Sequence, residues 1–189
     1  DDLSKVISQP YDRVRHGLQD KYYDQSPYNG VRIIRGKETP EDNDTNNVYT
    51  RGRDYYKTWL NEGVQMREDE PALYVLRQNF TLPDGTQKSR QGLVTAFQLS
   101  AFDEGIVLPH ERTHSGPKVD RLNLMRATQV NFGHIFMLYP GGRINELLDE
   151  ALEKLDALEA RDLFEKDVLQ QFWPVTDVDV VAAVVEEMV

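Results

Sequence analysis

Apolar residues recur at i, i+3, i+4 and i+7 from Ile144 through Leu147, Leu148, Ala151, Leu152 and Leu155 to Leu158, which predicts an amphipathic helix. The stripe spans too few heptads for a coiled coil, so it is read as core packing. Tyr55, Tyr56, Trp59 and Leu60 repeat the helical spacing, and Gly63 follows where a left-handed residue closes a helix. Leu122, Leu124 and Met125 predict another helix over 119–129. Shorter apolar runs at 31–36, 72–80, 91–102, 134–140 and 167–176 read as strands, the fourth of them buried. Pro83-Asp84-Gly85 has turn chemistry, so the second and third strands should pair as an antiparallel hairpin around 81–90. Pro174 suggests an edge strand or a strand end. Thr176 with Asp179 resembles a capping pair that opens a last apolar helix through Val184. Residues 36–52 are polar and turn-rich and are expected to form a mobile surface loop. Strands and helices interleave without an internal repeat. The expected fold is therefore mixed α/β (α+β): a central mixed sheet with a β-hairpin and packed helices, in one domain over 1–189.

Composition narrows the chemistry. Among 189 residues 39% are apolar and 29% charged, enough for a soluble globule with a core, and no apolar run reaches the length of a membrane span. The start lacks the basic, apolar and small-residue pattern of an export signal, so the cytoplasm is the expected location. Without cysteine there is no disulfide, no thiolate nucleophile and no sulfur-ligated metal. Twenty-two basic against thirty-two acidic side chains leave a formal charge of -10, which argues against a nucleic-acid partner. The chain begins at Asp1 and ends in an apolar helix without a closing Gly or Asn, so both ends look cut and an N-terminal portion of a longer protein is expected.

Residues 110–114 read His-Glu-Arg-Thr-His, the pattern by which a zinc helix presents two imidazoles and a general base. That chemistry needs several turns of helix, yet Pro109 precedes the pattern and Ser115-Gly116-Pro117 follows it. The pattern also lacks docking apolar positions and a downstream third ligand, so no zinc is expected. What remains is a loop after a strand and before a helix, a common place for function. It offers a base in His110 or Glu111 and cations for a phosphate or carboxylate in Arg112 and Arg121. The plainer alternative has Glu111 and Arg112 solvated, Thr113 capping a turn, Asp120 opening the helix and Arg121 in water. His16 reads as surface, His134 as a satisfied core or edge residue, and Trp59 and Trp173 as core aromatics.

Residues 105–139, with the HERT-to-DR segment as their specific part, closely resemble a prokaryotic family known as domain of unknown function 1015. The resemblance extends to "ISQPYD", "SPYNGVRII", "EDEPALYVLRQNF", "RQGLVTAFQL" and "FWPVTDVDVVAAV". It implies site residues at His110, Glu111, Thr113, Asp120 and Arg121, with Tyr11, Asp12, Asn29 and Arg112 in support. Family members are longer and carry a Gly-His-His-Arg-Tyr element after the "FWPVTD" segment, similar to the phosphate-holding element of the ParB, sulfiredoxin and free-serine kinase superfamily. This chain stops before it, so part of a nucleotide site is expected to be missing, and Gln9 stands where the family has a second proline. The resemblance implies a ParB/sulfiredoxin-like fold and a nucleotide-dependent, kinase-like phosphotransferase acting on a small hydroxylated metabolite with ATP or ADP and magnesium. In that reading His110 or Glu111 accepts the hydroxyl proton, Arg121 neutralises phosphoryl charge, and Asp12 or Asp120 holds magnesium. The alternative is a non-catalytic domain that binds a ligand or partner.

Overall fold

A computed structural model describes residues 2–15, 17–109, 114–139 and 142–188. The chain forms two compact units, one from Asp1–Val31, Met66–Thr95 and Phe136–Val189, the other from Arg32–Gln65 and Ala96–Ile135. The described residues form six α-helices and one four-stranded sheet, a mixed α/β fold. None of these helices is long and apolar enough to cross a membrane.

The sheet belongs to the first unit. Strands β1 (Leu73–Thr81), β2 (Gln87–Val94), β3 (Leu158–Arg161) and β4 (Val168–Val175) stand in the order β2-β1-β4-β3. All three pairings are antiparallel, where a mixed sheet was expected. The β1–β2 hairpin forms as predicted around a tighter turn: Gly85 takes φ +85°, Leu82 N–H donates to Thr86 O at 2.8 Å, and Asp84 Oδ1 accepts from Thr86 N–H. Pro174 lies at the end of an inner strand, opposite Tyr74 and beyond Phe172, the last residue that β3 pairs. There its missing N–H costs no ladder bond to β3.

Leu73, Val75, Trp173 and Val175 share one face of the sheet. Helix α5 (Ile144–Leu152) covers it with Ile144, Leu148 and Leu152, and helix α6 (Val178–Met188) adds Val184. Arg77 on the same face lies over the Trp173 ring at 5.2 Å and pairs with Asp149 of α5 at 3.2 Å. Helix α5 stops earlier than the leucine stripe suggested. Leu158 and Ala160 alternate with Glu159 and Arg161, a period of two hidden inside the period of 3.6, and they enter β3. Asp177, not Thr176, caps α6, its Oδ1 accepting from the N–H groups of Asp179 and Val180. Gly142, at φ +92°, is required before α5, because a Cβ there would lie 2.8 Å from Glu187 Oε1, which accepts the Arg143 N–H.

At the other end of the first unit, helix α1 (Leu18–Gln25) buries Tyr22 beside Val14 and Val31. The Tyr22 hydroxyl donates to Asp162 Oδ2 just after β3 and accepts from the Gln9 N–H at 3.1 Å, while Asp162 Oδ1 accepts from Phe164 N–H. Residues 31–36 do not form the expected strand. Val31–Ile34 is a single helical turn, α2, because Asn29 Oδ1 accepts the Val31 N–H and the apolar side chains of Val31 and Ile33 are both buried.

In the second unit, helix α3 (Val48–Asn61) packs against helix α4 (Ser115–Thr128) through a core of Ile33, Trp59 and Leu124 with Tyr55, Tyr56 and Phe132 around it. Gly52 allows close approach, since a Cβ there would meet Ile33 O at 3.2 Å. Helix α3 begins inside the stretch read as a polar loop, at a capping box of Asn47 and Thr50. Its Arg51 gathers the loop: Nη1 donates to Asp42 and Asn46, and Nη2 to Lys37 O at 2.7 Å.

Hydrogen bonding from Arg51 holds the Asp42 carboxyl at about 2, below its ordinary 3.8. A depressed carboxyl stabilises the loop above its ordinary value, and that contribution fades as pH falls toward 2. Amide exchange at 43–47, corrected for intrinsic rate, should therefore accelerate as pH drops from 4 to 2, and Asp42→Asn should show the faster exchange already at neutral pH.

Two further expectations fail. Residues 134–139 join no strand, and His134 is exposed with Ile135, Phe136, Met137, Leu138 and Tyr139. Residues 95–101 leave the sheet after Val94 and expose Phe97 and Leu99. Both segments have strand chemistry, but no strand among the described residues pairs with them.

Candidate functional site

The head of α4 holds the last residue of the histidine pattern. His114 is the residue before the helix, with φ -67° and ψ 146°, an extended backbone. The helix then starts at Ser115 and runs straight through Gly116-Pro117, which the sequence reading took as a break. Pro117 sits in the first turn, where an N–H has no intrahelical acceptor, and Gly116 lacks the Cβ that would clash with the proline ring. His110, Glu111, Arg112 and Thr113 lie outside the described residues. No group of three or more His, Asp or Glu side chains suited to a metal occurs among the described residues.

Asp120 and Arg121 follow one turn into α4, and both are held. Asp120 Oδ1 accepts the Tyr49 hydroxyl from α3 at 3.0 Å, and Oδ2 accepts Arg121 Nε at 2.9 Å. Arg121 Nη2 also donates to Ile34 O at 2.8 Å. Only 20% of the Arg121 side chain and 27% of that of Asp120 reach solvent, so the pair is semi-buried and tethered on three elements. Burial, with the Asp120 carboxylate beside it, raises the Tyr49 phenol above its ordinary 10. These groups border a cleft with Ile34, Arg35 and Glu38, whose volume of about 20 Å³ has room for one water.

The predicted supporting residues belong to the first unit. Asp12 is exposed and Tyr11 half-buried. Asn29 is fully buried and engaged: Nδ2 donates to Lys5 O and Ile7 O at 2.9 and 2.8 Å, and Oδ1 accepts from Val31. Its hydrogen bonds hold the backbone together. Tyr49 is the member that sequence reasoning missed. The signal was there: Asn47 with Thr50 three residues on marks a helix start, and Tyr49, Gly52, Tyr56 and Trp59 then share one face.

No curated protein and no solved structure matches the chain. The pattern of the family described as "Protein of unknown function (DUF1015)" matches residues 1–189, and the chain belongs to that family.

Proposed function

We propose that this chain is part of a nucleotide-dependent phosphotransferase whose phosphate-handling floor is the Asp120–Arg121 pair. The supporting observation is that Arg121 is a tethered cation, fixed by Asp120 Oδ2 and Ile34 O at the rim of a cleft. A guanidinium held in place meets phosphoryl charge with little reorganisation. The cleft takes only about one water, so the nucleotide phosphates lie over it. Asp120 fits a magnesium ion through water bound at Oδ1, which accepts the Tyr49 hydroxyl and keeps a further lone pair, while Oδ2 takes both Nε and Nη2 of Arg121. Magnesium held there would supply positive charge against the phosphate oxygens. In the transfer the substrate hydroxyl oxygen forms the new P–O bond, its proton passes to His110 or Glu111, and the nucleoside diphosphate leaves with the electrons of the broken P–O bond.

Calorimetry with ATP or ADP and magnesium tests this. Heat of binding is expected, reduced roughly tenfold to a hundredfold in Arg121→Ala; absence of heat with both nucleotides overturns it. A second reading, a binding domain without turnover, is favoured by the water-sized cleft and by hydrogen bonds already made by Arg121. Replacing His110 and Glu111 by Ala separates the two. Under the first, ³¹P NMR shows lost turnover with the thermal midpoint unchanged; under the second, the midpoint falls.

A further inference from the structure

We propose that Tyr49 is a positioning residue that holds Arg121 for phosphate by fixing the Asp120 carboxylate; the ligand rests on the phosphotransferase reading, the mechanics on the geometry alone. Successive residues of a helix leave its axis about 100° apart, so neighbours such as Asp120 and Arg121 do not ordinarily face each other. Here Oδ2 of Asp120 nevertheless takes both Nε and Nη2 of Arg121. Such a pair keeps one geometry only where groups outside α4 hold each side chain. Ile34 O holds the guanidinium, and the chain at Gly133 confines the stem, since a Cβ there would lie 3.5 Å from Arg121 Cδ. The carboxylate is held by Tyr49, whose hydroxyl donates to Oδ1 at 3.0 Å.

The hydroxyl is itself oriented. Its oxygen accepts from the Asn123 side chain, one turn beyond Asp120 in α4, and its own proton is left for Oδ1. Tyr49 thus spans two α4 side chains from α3, where it packs against the core of Ile33, Trp59 and Leu124. Burial raises the phenol above its ordinary 10, so the donor persists through neutral pH. Removing the hydroxyl lets the carboxylate turn and the pair with Arg121 open. Tyr49 therefore acts on phosphate at second hand: the phenol fixes the acid, and the acid fixes the cation.

Side-chain ¹⁵N NMR of the arginines tests the mechanics without a nucleotide, because paired hydrogen bonds slow the rotation of a guanidinium about its Nε–Cζ bond. In Tyr49→Phe, Arg121 is expected to rotate roughly fivefold to tenfold faster. Arg51, whose partners are Asp42, Asn46 and Lys37 O, should keep its rate. An unchanged Arg121 overturns the positioning role, and so does an equal acceleration of Arg51, which reports general loosening. Calorimetry with ATP or ADP and magnesium reads the consequence. Tyr49→Phe should weaken binding roughly fivefold to tenfold, and most of that loss should vanish in an Arg121→Ala background, since the hydroxyl acts through that cation. Equal losses in both backgrounds overturn the role. Absence of heat with both nucleotides removes the phosphotransferase reading, while the NMR comparison still decides what Tyr49 does.

Discussion

Tyr22→Phe is expected to destabilise the protein by about 3 kcal/mol, read as a lower urea midpoint. The lost hydroxyl does two tasks at once, donating to the buried Asp162 carboxylate and accepting from the Gln9 N–H. Among the described residues Asp162 takes part in no ion pair, and its other hydrogen-bond donor there is the Phe164 N–H. The variant leaves an anion buried with one oxygen unsatisfied, which costs more than the net gain from a hydrogen bond. Adding Asp162→Asn should recover part of the loss, because the charge is then gone. Burial, followed by the hydrogen bond to Asp162, raises the Tyr22 phenol above its ordinary 10. A raised group contributes fully below its ordinary value and loses that contribution as pH climbs through the folded one. Wild-type stability should therefore decline above pH 10, and the decline should be shallower in Tyr22→Phe.

Trp59→Ala is expected to cost about 3–5 kcal/mol and to loosen the candidate site with it. Trp59 is 3% exposed and fills the second unit's core with Ile33 and Leu124, its ring 5.8 Å from Tyr55. This packing holds α3 against α4, and the Tyr49–Asp120 hydrogen bond crosses the same seam. Thermal unfolding should report the lost stability, while amide exchange should show protection falling along both helices. Trp59→Phe should restore most of the protection, because a smaller aromatic ring leaves a smaller cavity.

The legible parts of the fold were those where periodicity and turn chemistry agreed. The β1–β2 hairpin, α3 with Gly63 at φ +70°, and β4 follow directly from such agreement. Sequence misled where tertiary partners decide between local options. Residues 31–34 have a strand's composition, but Asn29 caps them into a turn of helix. Leu155 and Leu158 continue a helical stripe, yet Leu158 is drawn into pairing with Phe172. Residues 134–139 have every local mark of a strand except a neighbour, and propensity cannot create one. In the site, Asp120 and Arg121 could be named from the sequence, but Tyr49 lies 71 positions away and only helix packing brings it to the carboxylate. Asn29 shows the converse: a polar residue singled out for chemistry whose capacity is used by backbone groups.

The position of β4 between β1 and β3 has a consequence for how the chain reaches its native state. The β1–β2 hairpin can close as soon as residue 94 exists, but the other side of β1 waits for residues 168–175. The whole of the second unit's later segment, 96–135, is made in the interval. During synthesis, therefore, a two-stranded ribbon persists with one backbone edge unoccupied, and the slow, non-local step of assembly is the arrival of its third strand.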